Sequence, residues 1–325
     1  MLRIDCQTHV FPREYAELLT KSSGWLQAKC LDHRYLISYN HIQDYVLDPQ
    51  TYDINSKIRD MDEAGIDIGI LSINIPGPEL LPPDLGVEGA KVCNNYIAEV
   101  CRQHSDRFFG LASLPLQDLN ATIREFGRAI HELDLRGIVL YSHINGKPVD
   151  APEFEPLYDL AEKEQIPLVI HPTVPIWGEV LTDYSMVPMI GFMVDHSIAM
   201  LRIILGGVLE RHPELLIVHP HCGGVLPYLM PRIEEQTEVK GRGREHITRS
   251  PREYYRKVYL DVVSPSAQAI QYAYQFAGAD RLLFGSDHPW VKLGVFRDCL
   301  DSLGLDSEDA AKIFEKNARR LFKIE

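Results

Sequence analysis

The sequence predicts a single closed (β/α)8 barrel, a TIM barrel that occupies residues 1–325. Short apolar segments recur along the chain, amphipathic helical segments separate them, and polar side chains follow several of the apolar segments. Parallel strands buried on both faces are apolar throughout. The alternative, an open doubly wound sheet, binds its ligand at one switch point, whereas a barrel draws functional residues from the ends of many strands. The spread of the polar residues therefore favours the barrel.

Eight segments have the length and the apolar character of buried parallel strands. In chain order, the predicted strands are residues 2–6, 67–73, 108–114, 137–141, 167–170, 215–219, 258–261 and 281–284. The helical segments repeat apolar residues every three or four positions, and Val92, Tyr96 and Val100 form such a stripe. The predicted helices are residues 87–104, 120–133, 154–163, 196–211, 266–277 and 307–322.

Two long segments lack a clear periodicity. Residues 12–54 are rich in Tyr, His and Asp, and we interpret them as an insertion after strand one that covers the barrel mouth. Residues 172–194 form a second irregular stretch after strand five. Both are expected to belong to the one barrel domain and not to a second domain.

Composition and charge exclude several classes of protein. Hydrophobic residues make up 45% of the chain and charged residues 24%, which is a globular balance. A formal net charge of −13 repels phosphate backbones and argues against nucleic-acid binding. The uninterrupted apolar runs fall short of the ~20 residues that span a bilayer, so no membrane partner is expected. Scattered cysteines and a first segment without a secretory leader indicate a cytoplasmic protein.

Side chains with ligand chemistry follow four of the predicted strands, where the strands of a barrel open onto one mouth. In chain order these residues are Gln7, His9, His171, His219, His221 and Asp287. Taken singly, each histidine is explained by packing and the aspartate by a turn. Their recurrence after strands one, five, six and eight favours a shared site instead. Two imidazoles and a carboxylate are suitable ligands for Zn²⁺ or Mn²⁺.

At these positions the chain resembles a known family. The matching segments are residues 59–67 (RDMDEAGID), 107–112 (RFFGLA), 114–118 (LPLQD), 170–172 (IHP), 206–213 (GGVLERHP), 221–224 (HCGG) and 285–289 (GSDHP). In their order and spacing, these segments resemble the motifs of the amidohydrolase superfamily. The resemblance is to its amidohydrolase-2 branch, which includes aminocarboxymuconate semialdehyde decarboxylase and the resorcylate-type decarboxylases.

The resemblance implies a role for each matching residue. It implies that His9, His171 and Asp287 bind one divalent metal ion, Zn²⁺ first and Mn²⁺ as the alternative. It also implies that His221 acts on the metal-bound water or on the substrate. A bound cation lowers the pKa of its water towards ~7, where an imidazole moves protons readily.

The chain departs from the family pattern in two places. The first residue of the strand-one motif, usually His and in some relatives Glu or Asp, is Gln7 here. Two roles stay open for this amide: direct ligation of the metal, or a hydrogen bond to a metal-bound water. The semialdehyde decarboxylases also carry an Arg in the insertion, where this chain has Tyr45, with Arg34 as the closest guanidinium upstream. Without an Arg at the mouth, that particular substrate is not expected.

The leading function is non-oxidative decarboxylation of a small cyclic or aromatic carboxylic acid, with His221 and Asp287 as catalytic residues. Hydrolysis or hydration by a metal-activated water is the alternative reaction. A non-catalytic partner subunit with a degenerate metal site, marked by Gln7, is the alternative from another class.

The expected assembly is a homodimer, or a hetero-oligomer with a paralogue. The side chains expected to line the substrate pocket are Trp177, His288 and Trp290.

Overall fold

The computed structural model describes residues 1–325 and contains eight parallel strands arranged in a ring. In chain order they are β1 (Ile4–Val10), β2 (Ile68–Ile73), β3 (Phe108–Gly110), β4 (Ile138–Tyr141), β5 (Leu168–His171), β6 (Ile217–His219), β7 (Tyr259–Asp261) and β8 (Leu282–Leu283). Strands β1 to β3 pair in sequence order, and so do strands β4 to β8.

Individual backbone hydrogen bonds close the two remaining seams of the ring. Between β3 and β4, the amide of Ala112 donates to the carbonyl of Gly137 (2.8 Å), and the amide of Val139 donates to the carbonyl of Ala112 (2.9 Å). Between β8 and β1, the amide of Cys6 donates to the carbonyl of Phe284 (2.9 Å). The predicted TIM barrel is therefore confirmed.

A helix follows each strand and packs outside the ring. These helices are α1 (Ile54–Ala64), α2 (Pro83–Gln103), α3 (Leu119–His131), α4 (Glu155–Glu164), α5 (Phe192–Leu205), α6 (Leu226–Glu234), α7 (Ala267–Ala277) and α8 (Asn317–Phe322). Helix α3 shows why they form, because the side chain of Asp118 caps its first turn while Phe126 and Ala129 are buried. Further helices lie between them at Arg13–Leu19, Val208–Arg211, Pro251–Tyr255, Leu293–Asp301 and Ser307–Ala311.

The apolar core has two parts. Inside the ring, Ile70, Val139, Val169 and Leu283 from different strands pack together, and Phe322 of α8 packs against the same cluster. A larger cluster fills the space between the strands and the surrounding helices. The ring is thus filled by side chains, so polar residues that point inward are confined to its mouth.

The insertion after β1 has regular structure, although its sequence shows no clear periodicity. It contains the helix Arg13–Leu19 and an antiparallel sheet of Leu26–Leu31, Arg34–Tyr39 and Gln43–Leu47. Along the middle strand, the buried residues Tyr35, Ile37 and Tyr39 alternate with more exposed ones. The sequence did not reveal this period of two because two of the three buried side chains are tyrosines.

The stretch after β5 forms short turns before α5 begins. Residues Asp183–Leu205, which include these turns and α5, are long and apolar enough to cross a membrane, with a mean hydropathy of 1.5. Half of the most apolar window is buried inside the protein. A core helix passes the same test, because its buried face is apolar.

Candidate metal centre

Strand β1 brings polar side chains to the barrel mouth. It extends to Val10 instead of ending at residue 6, and its register with β2 shifts between Asp5 and Thr8. A bulge of this kind changes the face on which the following side chains lie. The hydroxyl of Thr8 therefore contacts Nζ of Lys57 on α1 (2.7 Å), and His9 reaches the mouth.

Three side chains converge from β1, from β5 and from the segment after β8. Nε2 of His9 lies 3.0 Å from Oδ1 of Asp287 and 3.4 Å from Nε2 of His171. One possible ligand atom from each residue lies within 4.8 Å of the other two. The structure thus brings together the three residues for which the family resemblance implied a metal-binding role.

Hydrogen bonds on the far sides of the two rings orient them for a cation. Nδ1 of His171 donates to the carbonyl of Pro172 (2.7 Å), so its Nε2 presents a lone pair. Nδ1 of His9 lies 2.9 Å from the hydroxyl of Ser72, which fixes the orientation of the ring. A cation between the two Nε2 atoms and the carboxylate would accept an electron pair from each of the three groups. The donor set therefore fits one divalent metal ion.

Burial sets the charge of these groups. It lowers the pKa of His9 to about 3 and the pKa of His171 to about 4, so both rings are neutral at pH 7. Burial also raises the pKa of Asp287, an effect that His221 and His171 oppose. Neutral imidazole is the form that binds a metal, so these two ligands release no proton on binding near pH 7.

Gln7 faces His221 at the mouth. The two Nε2 atoms lie 3.2 Å apart, so the amide donates and the ring accepts. Oε1 of Gln7 is buried and has no hydrogen-bond partner. An unsatisfied buried acceptor costs about 1–3 kcal/mol, and a metal ion or a water bound to it would remove that cost. Both roles considered for Gln7 are compatible with this position.

The backbone that carries His221 is strained. His221, Cys222, Gly223 and Gly224 have φ angles of 53°, 56°, 77° and 57°. A left-handed conformation costs a residue with a side chain roughly 1–2 kcal/mol, and such strain concentrates at functional sites. The carboxylate of Asp261, at the end of β7, accepts a hydrogen bond from the amide of Cys222 (3.3 Å) and helps to hold this turn.

Behind His221 lies a hydrogen-bonded chain of three buried groups. Nδ1 of His196 lies 2.6 Å from Nε2 of His219, and Nδ1 of His219 lies 2.6 Å from the hydroxyl of Tyr255. The rings of His196 and His221 have centroids 5.7 Å apart. The sequence marked His219 by its place at a strand end, but no spacing or motif marked His196 or Tyr255 as its partners.

A second buried network flanks the converging ligands. Lys57 is 1% exposed, and its Nζ lies 2.7 Å from Nδ1 of His288. The other ring nitrogen of His288 lies 2.9 Å from Oδ2 of Asp60. Sequence reasoning missed Lys57, although one signal was present: Lys57, Met61 and Ala64 form the buried stripe of α1, where a lysine is unusual.

The mouth opens into a cavity of ≈ 740 Å³. His171, His221 and Asp287 line it, together with Tyr45 from the insertion and Trp290 from the segment after β8. The cavity therefore adjoins the converging ligands, and its volume suits a small organic molecule.

Two residues expected in the pocket lie outside the cavity lining. Nε1 of Trp177 donates instead to Oδ1 of Asp195 (3.1 Å), and His288 is engaged by Lys57. Arg34 is exposed on the insertion and is also absent from the lining. No guanidinium of this chain therefore reaches the cavity.

Known proteins resemble this chain over nearly its full length. The chain is 30% identical over 305 residues to the gamma-resorcylate decarboxylase of Rhizobium sp. (strain MTP-10005), covering 88% of this chain and 91% of that protein. It is 28% identical over 299 residues to the 2-amino-3-carboxymuconate-6-semialdehyde decarboxylase of Dictyostelium discoideum, covering 89% and 82%. The crystal structure of 2,6-dihydroxybenzoate decarboxylase complexed with 2,6-dihydroxybenzoate matches it at 26% identity and a TM-score of 0.83, covering 100% of both chains.

The family model Amidohydro_2, described as amidohydrolase, matches residues 4–324. That range contains all eight strands and every residue of the converging set. The resemblance stated from the sequence motifs is confirmed, and the chain belongs to the amidohydrolase family.

Proposed function

We propose that this protein is a metal-dependent decarboxylase that removes a carboxylate, without oxidation, from a small aromatic or cyclic carboxylic acid. The observation that carries the proposal is the convergence of His9, His171 and Asp287 beside a cavity that His221 also lines. The two relatives described above, which align with most of this chain, are both decarboxylases, and this supports the reaction class.

In the proposed enzyme, His9, His171 and Asp287 hold one divalent cation. The mixed nitrogen and oxygen donors suit Zn²⁺, with Mn²⁺ as the alternative. Oε1 of Gln7, buried and without a partner, supplies a fourth donor or accepts a hydrogen bond from a ligand of the cation. When bound, the cation polarises the carboxylate or an adjacent hydroxyl of the substrate.

Decarboxylation breaks a carbon–carbon bond and leaves an electron pair on a carbon that must then take up a proton. His221 is the residue proposed to move that proton, because its ring lines the cavity. While Gln7 donates to Nε2 of His221, the ring proton resides on Nδ1. Burial lowers the pKa of His221 to about 4, so the ring is neutral at pH 7 and acts first as a base. It takes a proton from a hydroxyl of the substrate or from solvent and then passes that proton to the carbon as CO2 leaves.

The chain is proposed to act as one catalytic unit in which residues 12–54 cover the mouth, and the presence of Tyr45 in the cavity lining supports this. A cytoplasmic homodimer is the proposed state, with a paralogous partner as the alternative. Six free cysteines support a reducing compartment. Exposed apolar side chains such as Ile198 and Tyr228 support an interface between subunits.

The experiment that tests the function measures CO2 release by the metal-loaded protein from a panel of aromatic and unsaturated carboxylic acids. Asp287→Ala is the inactive control. Release of CO2 with formation of the decarboxylated product supports the proposal. A product that keeps its carboxylate favours hydrolysis or hydration. A protein that holds far less than one equivalent of metal favours the non-catalytic partner subunit.

A further inference from the structure

We infer that the cavity selects acids with a single carboxylate and an otherwise uncharged body, and that Asn74 and Gln43 recognise a neutral hydroxyl on that body. The inference rests on the proposed function, because it takes the carboxylate held at the metal centre as the reacting group. It goes further by excluding dicarboxylic acids, a class that the reaction type alone does not exclude.

The first support is the charge of the lining. The residues that line the cavity include no Lys and no Arg, and Asp287 is the single acidic residue among them. His171 and His221 also line it, and an imidazole that binds a metal does so in its neutral form. The protein thus contributes one negative charge. A divalent cation at Asp287 leaves one net positive charge, which one carboxylate balances.

The second support is the position of two positively charged side chains, Lys57 and Arg34, on elements that border the mouth. Nζ of Lys57 is held between the hydroxyl of Thr8 and the ring of His288, and Lys57 does not line the cavity. Arg34 is exposed on the insertion. A second carboxylate in the cavity would therefore be desolvated without a cationic partner, which is strongly unfavourable.

The third support is the polarity of the remaining wall. It is largely apolar, with Phe192, Val263 and Phe296 among its members. Two amide side chains, Asn74 and Gln43, also line the cavity. Nδ2 of Asn74 and Oε1 of Gln43 are both buried and have no hydrogen-bond partner.

The side chain of Asn74 is held in place. Its Oδ1 accepts a hydrogen bond from the amide of Ile75 (2.6 Å), and the residue is 2% exposed. Nδ2 is consequently left to donate elsewhere, and the unpaired oxygen of Gln43 is left to accept. A hydroxyl can accept a hydrogen bond from Nδ2 of Asn74 or donate one to Oε1 of Gln43, and either contact satisfies a buried group without adding charge.

Binding to the metal-loaded protein, measured by calorimetry, tests the inference independently of turnover. The probes are benzoate, 3-hydroxybenzoate, 2-hydroxybenzene-1,3-dicarboxylate and 3-carbamoyl-2-hydroxybenzoate. The carbamoyl acid has nearly the shape of the diacid but one charge fewer, and the hydroxyl of 3-hydroxybenzoate is too far from the carboxylate to share its cation. We expect the diacid to bind at least ~10-fold more weakly than the carbamoyl acid, and 3-hydroxybenzoate to bind more tightly than benzoate. Equal binding of the diacid and the carbamoyl acid would overturn the inference, since a cation must then reach the cavity from elsewhere.

Three variants sharpen the test. Met189 lines the cavity and is 70% exposed, so an arginine there can reach in from the rim. Met189→Arg should raise the affinity for the diacid about tenfold, whereas Met189→Gln, long but uncharged, should not. Asn74→Leu keeps nearly the same shape, adds no charge and removes the Nδ2 donor. It should abolish the preference for 3-hydroxybenzoate over benzoate, and a preference that survives would exclude Asn74 from hydroxyl recognition.

The outcomes separate this inference from the proposed function. If the single-carboxylate acids bind selectively but release no CO2, the decarboxylase proposal fails and the inference stands. If CO2 is released from the diacid as readily as from the monoacid, the decarboxylase proposal stands and the inference fails.

Discussion

Nε2 of His9 lies 3.0 Å from Oδ1 of Asp287, although 278 residues separate the two in the chain. The contact spans the seam between β8 and β1, where the amide of His9 also donates to the carbonyl of His288 (2.8 Å). The candidate metal centre is therefore built mainly where the ring closes, and His171 alone comes from the opposite part of the sequence.

Asp287→Ala should abolish turnover and most metal binding, because it removes the one anionic group of the converging set. Metal content by mass spectrometry and folding by circular dichroism check this result. Asp44→Ala, which removes an exposed carboxylate from the insertion, is the matched control and should keep its metal. A folded Asp287→Ala protein with full metal occupancy would contradict the site as described.

Gln7→His should raise the affinity for the metal about tenfold or more, because imidazole is a better donor than an amide oxygen. Gln7→Leu, which has similar bulk and no donor, should lower it. Titration of the metal-free proteins with Zn²⁺ and Mn²⁺ measures both changes. If both variants bind the metal as the parent protein does, Gln7 lies outside its coordination sphere.

His221→Asn should fold, keep its metal and lose at least ~100-fold in kcat, because it keeps a polar group of similar reach but cannot exchange a proton near neutral pH. The measurements are kcat, metal content and Tm for the same preparation. A variant that melts early yet turns over almost normally would make His221 a structural residue of the strained turn.

His219 should make stability depend on pH. Burial lowers its pKa from 6.5 to about 3, so between these values the folded state binds fewer protons than the unfolded state. Its contribution to stability is therefore present above pH 6.5 and is lost as the pH falls towards 3, by at most roughly 1.4 kcal/mol per pH unit. Urea denaturation of the metal-free protein and of His219→Gln at pH 7 and pH 5 tests this. If the free energy of unfolding falls equally in the two proteins between pH 7 and pH 5, His219 does not cause the pH dependence.

Lys57→Met should lower the free energy of unfolding by about 1–3 kcal/mol, because it leaves the hydroxyl of Thr8 and Nδ1 of His288 without their buried partner. Metal affinity should fall as well, since these partners adjoin His9 and Asp287 in the chain. Urea denaturation and metal titration measure the two effects. Lys91→Met, on the exposed face of α2, should change neither, and an equal effect of both variants would refute the proposed support.

The sequence predicted the ring of strands because every strand is a short apolar run, and it predicted the positions of His171 and Asp287 because polar residues follow such runs. It misjudged the length of β1. Gln7, Thr8 and His9 are polar, so a criterion based on apolar character ends the strand at residue 6, whereas the bulge carries it to Val10.

Other features depend on contacts between distant segments, which no local pattern records. Lys57 meets His288 across 231 residues, and Tyr255 meets His219 across 36. The place of Trp177 after strand five suggested that it lines the pocket, but its indole nitrogen donates a hydrogen bond to Asp195. An aromatic side chain near a strand end satisfies either role, so the sequence could not distinguish them.

The closure of the ring between β8 and β1 also governs when the site can form during synthesis. A ribosome makes residue 9 long before residue 287, and at roughly 5–20 residues per second the 278-residue interval lasts roughly 15–55 s. Throughout that time the nascent chain displays His9 without its carboxylate partner, and the edge of β1 that later meets β8 stays unpaired. An open strand edge invites pairing with other chains. Ring closure and assembly of the metal-binding set should therefore occur close together in time, once residue 287 has left the ribosome.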